Sequence, residues 1–155
     1  MDLTSKFRMI PIFKSQDIAG GAVVGDSINM KNAHKCTFLV NFGSITGNSI
    51  LTVCSAATAA GTTSPLTFKY APAGADTGAV SSDVKGTMST SAALTLTAAT
   101  YDNTVLIVEV DAAEMDLAND ENWLTIFISA VANPLNVGIV ALVEPRYSDS
   151  ATFLS

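Results

Sequence analysis

Apolar and polar residues alternate with a period of two along most of this chain, the spacing of strands whose side chains point in turn to a core and to solvent. The plainest case is 36–42, where Cys36, Phe38, Val40 and Phe42 fall on one face and Thr37, Leu39 and Asn41 on the other. Residues 104–110 (TVLIVEV) repeat the pattern with β-branched side chains, which favour a pleated backbone. The stretch from Trp123 to Tyr147 reads WLTIFISAVANPLNVGIVALVEPRY. It holds two long β-type runs, 123–130 and 136–143, joined by an Asn-Pro turn and expected to be the densest part of the core. Near the other end, 6–13 (KFRMIPIF) opens as a strand. Pro11 within it has no amide to donate, so the run belongs at a sheet edge or carries a bulge.

Shorter strands are predicted at 27–30, after the turn signals Gly20-Gly21 and Gly25-Asp26, and at 49–55, after a turn over 43–48. If 36–42 and 49–55 form a hairpin with Val40 opposite Ile50, then Phe38 faces Thr52 and Cys36 faces Cys54, because antiparallel partners keep a constant index sum. A one-residue shift in the loop puts the two sulfurs on opposite faces instead. Between 55 and 100, 32 of 46 residues are Ala, Gly, Ser or Thr, which reads as long surface loops around short strands at 66–71 and 94–97. Disorder fits less well, since the stretch lacks the charge and proline content that drives it. One or two helical turns are expected over 111–117, with Asp111 as N-cap and Glu114 three residues on. About eight to ten short strands and at most one short helix predict an all-β fold. We read it as a single antiparallel β-sandwich over 1–155, with the jelly roll as one form of it.

Composition bears on the surface. Hydrophobic residues make up 48% and charged residues 14% of the chain, against roughly 25% charged in ordinary soluble domains. Much of the surface is therefore Ser, Thr, Asn, Gly and Ala, which suits assembly contacts better than life as a free monomer. The net charge of −6 argues against nucleic-acid binding, which needs clustered Lys and Arg. Residues 1–35 hold five basic and three acidic groups, a balance of +2, leaving −8 on the remaining 120. That asymmetry would let a basic N-terminal segment dock on the acidic body of a neighbouring copy. Residues from Met1 onward lack the basic and apolar run of a secretory signal, and no apolar stretch is long enough to span a bilayer as a helix. Synthesis in a cytoplasm is expected, with Cys36 and Cys54 as reduced, buried thiols.

No catalytic, cofactor or metal constellation is legible. His34 is the one histidine; no G-x-S-x-G elbow accompanies it, and with two cysteines it makes no zinc spacing, so it reads as a loop residue ahead of a strand. Asp111, Glu114, Asp116, Asp120 and Glu121 form an acidic run that could attract Ca²⁺ or serve paired-acid hydrolysis. It lacks the central Gly and terminal Glu of an EF-hand loop and reads as a solvated, capped turn. The glycines from Gly20 to Gly25 lack the Gly-Lys-Ser/Thr ending of a phosphate loop. Trp123 at the start of an apolar strand is expected in the core rather than stacked on a sugar. Arg146 and Tyr147 follow Pro145, which tends to end a strand, and would position the C-terminal tail.

Several pieces together resemble the small structural proteins of tailed bacteriophages and prophages. They are a short polar N-terminus leading into a first strand, a Gly-rich turn before Asp26-Ser27-Ile28-Asn29-Met30 and the aromatic-bearing Cys36-Thr37-Phe38-Leu39-Val40, and Ala/Thr/Gly-rich loops. A late strand pair ending in Val143-Glu144-Pro145-Arg146-Tyr147 completes them. The resemblance implies a non-enzymatic head decoration or cementing protein that binds the major capsid protein on the outside of a phage head. It would reside in the virion and self-associate, a trimer matching the local threefold axes of an icosahedral shell. A tail or head–tail junction component is the alternative within the same group. Outside it stand a carbohydrate-binding sandwich using Trp123 or Tyr101 and, last, a hydrolase using His34 or paired carboxylates. Contacts with capsid or neighbouring copies are expected from Lys6, Arg8, Arg146 and Tyr147, with 1–8 and 148–155 as docking tails. No nucleic acid, membrane or cofactor is implied.

Overall fold

The computed structural model describes residues 6–61, 64–76, 81–130, 132–147 and 153. Alternation sorts its side chains as the sequence pattern requires. In β4 (Ala33–Ile45), Cys36, Phe38, Val40 and Phe42 are at most 2% exposed, while Thr37, Leu39 and Asn41 face outward. The chain continues from β1 (Arg8–Asp17), β2 (Val23–Val24) and β3 (Ile28–Asn29) through β4 to β5 (Ser49–Ala56). Short strands β6 (Ser64–Pro65), β7 (Phe68–Asp76), β8 (Ser81–Ser82) and β9 (Ser89–Ser91) follow. Then come β10 (Leu94–Leu96), helix α1 (Ala98–Tyr101), β11 (Thr104–Asp111), β12 (Trp123–Ile128) and β13 (Leu135–Pro145).

Two antiparallel sheets form the sandwich. The larger runs β1-β13-β4-β11-β7-β8, with β9 beside β7; the smaller runs β10-β5-β12-β2, with β3 also on β12 and β6 on β5. β2 and β3 act as one interrupted strand along β12, since the Gly25 amide between them donates to Ile126 O at 3.0 Å. Counting them so, the principal strands pair first with last inward: β1 with β13, β2/β3 with β12, β4 with β11, β5 with β10. The chain is thus one long hairpin, rolled so that successive pairs fall in opposite sheets, which is the jelly roll. Its tip is the insertion carrying β6 to β9, and β7 widens the large sheet by pairing with β11.

This topology decides two pairings that the sequence leaves open. β4 and β5 belong to different sheets, so Cys36 does not face Cys54. Cys36 points into the core of the large sheet, and Cys54 pairs with Thr125 and Pro65 in the small one. The runs around β12 and β13 likewise lie in opposite sheets rather than side by side. In both cases the loop is long enough to cross the roughly 10 Å between packed sheets, and alternation alone cannot tell a crossing from a tight turn. Pro11 behaves as expected: β1 is an edge strand whose register shifts between Pro11 and Phe13 and again before Gln16. The turn predicted over 111–117 is a 3-10 turn at Ala112–Glu114, in which the Asp111 amide donates to Glu114 Oε2 at 3.1 Å within a capping box. α1 was not foreseen, because Ala-Ala-Thr-Tyr sits in a stretch whose composition reads as loop.

Burial pushes the Cys36 thiol far above its ordinary value of 9.0, and Cys54 moves the same way. Since the folded chain opposes ionisation, this contribution to stability is fully present below pH 9 and is lost as pH rises toward the folded value. Urea midpoints should therefore fall between about pH 8 and about pH 10, and fall less in Cys36→Ala. A thiol reagent should leave Cys36 untouched in the native protein and count two thiols per chain after denaturation; a native Cys36 that reacts at the denatured rate contradicts its burial.

Candidate functional site

Outward positions of a solvent-facing antiparallel sheet are normally polar. On the large sheet one row of them is apolar instead. Register aligns Pro11, Val140, Leu39, Ile107 and Ala71 across five strands. The neighbouring row runs Met9, Leu142, Thr37, Glu109, Lys69. Met9 is 57% and Val140 36% exposed, Leu39, Ile107 and Leu142 are half-buried, and Ala71 at the far end of its row is fully buried. The result is an apolar band along β1, β13, β4 and β11 on the outer face.

One margin of the band is charged and internally paired. Lys35 Nζ lies 2.6 Å from Glu109 Oε2, and Lys69 Nζ lies 3.2 Å from Asp111 Oδ2 and 3.6 Å from Glu114 Oε1. The hydrogen bond to Asp111 is the main reason Lys69 holds its proton more firmly than an isolated lysine. These pairs are half exposed and add little stability; their effect is to leave the margin without strong net charge. Toward the other margin is a depression of about 270 Å³ lined by Asn41, Ala73, Gly74, Ala75, Ser82, Asn103 and Val105. Gly74 has φ +153°, and a Cβ there would stand 2.3 Å from Ser82 O, so the β7–β8 backbones meet at its wall. Its lining holds no acid, base or thiol.

The expected contact residues gather at one end of the sandwich. Arg8 begins β1 opposite Val143, so Lys6 and Arg8 sit beside the end of β13, where Pro145 closes the strand. Arg146 then folds onto the turn before β4: its amide donates to Asn32 O at 2.8 Å and its Nε to Ala33 O at 2.9 Å. Tyr147 follows at 67% exposure. The same register brings Lys31 and His34 to this corner, both exposed, with His34 inside β4 rather than in a loop. Neither was picked out beforehand as a contact residue, because only the β4–β13 pairing puts the start of β4 against the end of the chain's last strand.

The acidic run is dispersed among separate partners. Asp111 and Glu114 take Lys69; Asp116 accepts from Asn119 Nδ2 at 2.7 Å and Asp120 from Asn122 Nδ2 at 2.7 Å. Glu121 accepts from Ser64 Oγ at 2.9 Å and from Ser55 Oγ. Among the described residues no group of three or more His, Cys, Asp or Glu could hold a metal, and no helix is long and apolar enough to cross a membrane. Tyr101 is buried, its ring 6.3 Å from that of Phe42 and tilted by 59°, which withdraws it from sugar stacking. Trp123 departs from the core position expected of it: it is half-exposed on the outer face of the small sheet, the side to which Phe127 also points. Of the expected C-terminal docking tail, one residue is described. Phe153 is packed into this chain's own core, its carbonyl accepting from the Asn29 amide at 2.7 Å; the other residues of 148–155, and 1–5 of the N-terminal tail, lie outside the described residues.

Comparison with protein-family models, with curated proteins and with solved structures finds no match.

Proposed function

We propose that this protein is a non-enzymatic structural component of a virion, a decoration or cementing protein that docks on the outer surface of a phage head. The observation that carries this reading is the apolar band on the large sheet. An exposed contiguous apolar surface marks an interaction site, and a flat one suits another broad surface better than a small ligand, which is held in a concavity. The internally paired margin, two lysines against three acids, adds little charge that a capsid lattice would have to match. The jelly roll supports the reading only as an architecture shared by capsid and lectin domains; the chain-wide resemblance to small phage structural proteins selects between them. Many copies on one particle would make a modest contact effective through avidity.

The test is cosedimentation with heads that lack this protein. The parent should pellet with them, and Met9→Lys with Val140→Lys should lower the bound fraction at least about tenfold, as a lost contact of roughly 1.4 kcal/mol requires. Both side chains point away from the core, Met9 57% and Val140 36% exposed, so the variant should fold with a loss of about 1 kcal/mol or less. A parent that never pellets with heads, yet pellets with tails or is retained by a soluble glycan, would move the protein to the tail or to a carbohydrate-binding role through Trp123.

A further inference from the structure

We propose that the end of the sandwich bearing the basic corner pairs with the same end of a second copy about a two-fold axis. Two groups of opposite charge lie side by side there. Lys6, Arg8 and Arg146 arrive from β1 and β13. Asp116, Asp120 and Glu121 arrive from the segment leading into β12. The turn between β3 and β4 joins the two groups, because Asn32 O accepts from the Arg146 amide at 2.8 Å while the Met30 amide donates to Asn122 O, also at 2.8 Å. Lys31 is carried on that turn, exposed. The end is therefore a strip, positive toward β1 and negative toward β12.

The acids on this strip keep their charge available to a partner. Their hydrogen bonds come from neutral groups, Asn119, Asn122, Ser55 and Ser64, whereas Asp111, Glu114 and Glu109 are matched by lysines. A chain of net charge −6 repels its own copies at most surfaces. This strip is an exception, close to neutral in sum and divided in sign. Turned about a two-fold axis, its positive half lies over the partner's negative half, and the match occurs twice in one isologous interface. Opposed like halves would repel instead, which fixes the orientation. The contact differs from the threefold association expected from the sequence, and it leaves the apolar band of both copies free. Its existence does not depend on what that band binds.

Sedimentation equilibrium of the parent should give twice the chain mass at low salt and the chain mass at about 1 M salt, where the Debye length is roughly 3 Å. Lys6→Glu with Lys31→Glu cancels the positive half, setting two glutamates against Arg8 and Arg146 and leaving the strip net negative, and Asp116→Lys with Ala118→Lys shifts it to positive. Each variant should be monomeric at low salt. Mixed in equal amounts, the two should pair at least tenfold more tightly than either does alone, a rescue that a misfolded chain would not give. Should either double change unfold the protein, the exposed single changes Lys31→Glu and Ala118→Lys read the same way. A monomeric parent at low salt, a mass of three chains, a variant as dimeric as the parent, or a mixture that stays monomeric would each overturn the two-fold contact. Head binding is scored separately, so loss of cosedimentation with an intact dimer rejects only the proposed function.

Discussion

Ile128→Ala and Ile139→Ala should each lower the unfolding free energy by about 2–5 kcal/mol, the range for deleting a fully buried aliphatic side chain and leaving a cavity. Both isoleucines are 0% exposed. They also sample the two layers separately. Ile128 is on β12, between β5 and β2 in the small sheet, and Ile139 is on β13, between β1 and β4 in the large one. Neighbours in a central strand are fixed by ladders on both sides and cannot collapse far into a void, which keeps the cost toward the upper part of the range. Ile50 gives the control: on β5, pointing outward and 45% exposed, it should tolerate alanine within about 0.5 kcal/mol. Urea titration at unchanged m measures all three. Losses under about 0.5 kcal/mol at both buried positions would place β12 and β13 outside the core.

The inward set was legible because alternation is local. Cys36 to Phe42 and the β11 run each declare their buried face without reference to any other part of the chain, whereas β12 and β13 carry apolar residues on both faces, so that Trp123, Val140 and Leu142 are sorted outward only by the fold. Strand partnership is not local. The same apolar faces serve a meander, in which β12 lies beside β13, and a jelly roll, in which each joins a different sheet, and the connections at 46–48 and 129–134 are long enough for either. Pro11 carried more information than most residues, since a missing amide can be tolerated only where no neighbouring strand needs it. The outer apolar band was hidden for a related reason. Met9, Leu39, Ile107 and Val140 occupy positions of their own strands that looked like ordinary tolerance for exposed hydrophobics, and only register shows that they adjoin. Lys6, Arg8 and Arg146 could be named from charge asymmetry and from the strand-ending Pro145, whereas Lys31 and His34 needed the fold to bring them to the same corner.

Ser27→Ala should cost about 1–3 kcal/mol, the range for leaving a buried polar group without its partner. Ser27 Oγ accepts from the Ala60 amide at 2.6 Å and shares a hydrogen with Thr125 Oγ1, also at 2.6 Å. Thr125 is 0% exposed although alternation along β12 turns it away from the core residues Leu124 and Ile126, so its hydroxyl depends on Ser27. Ala60 holds a left-handed φ of +61°, a conformation that costs an alanine roughly 1–2 kcal/mol and that its bond to Ser27 helps to offset. Removing the serine hydroxyl thus strands two groups and loosens the turn after β5. Thr125→Val strands only the Ser27 hydroxyl on one side and should cost less. In the double variant both side-chain hydroxyls are gone, the Ala60 amide alone lacks its partner, and the loss should be smaller than the sum of the single losses by about 0.5–3 kcal/mol, the coupling of residues in one network. Strict additivity of the two changes, or a Ser27→Ala loss under about 0.5 kcal/mol, would mean that the hydroxyl pair does not hold this turn against the small sheet.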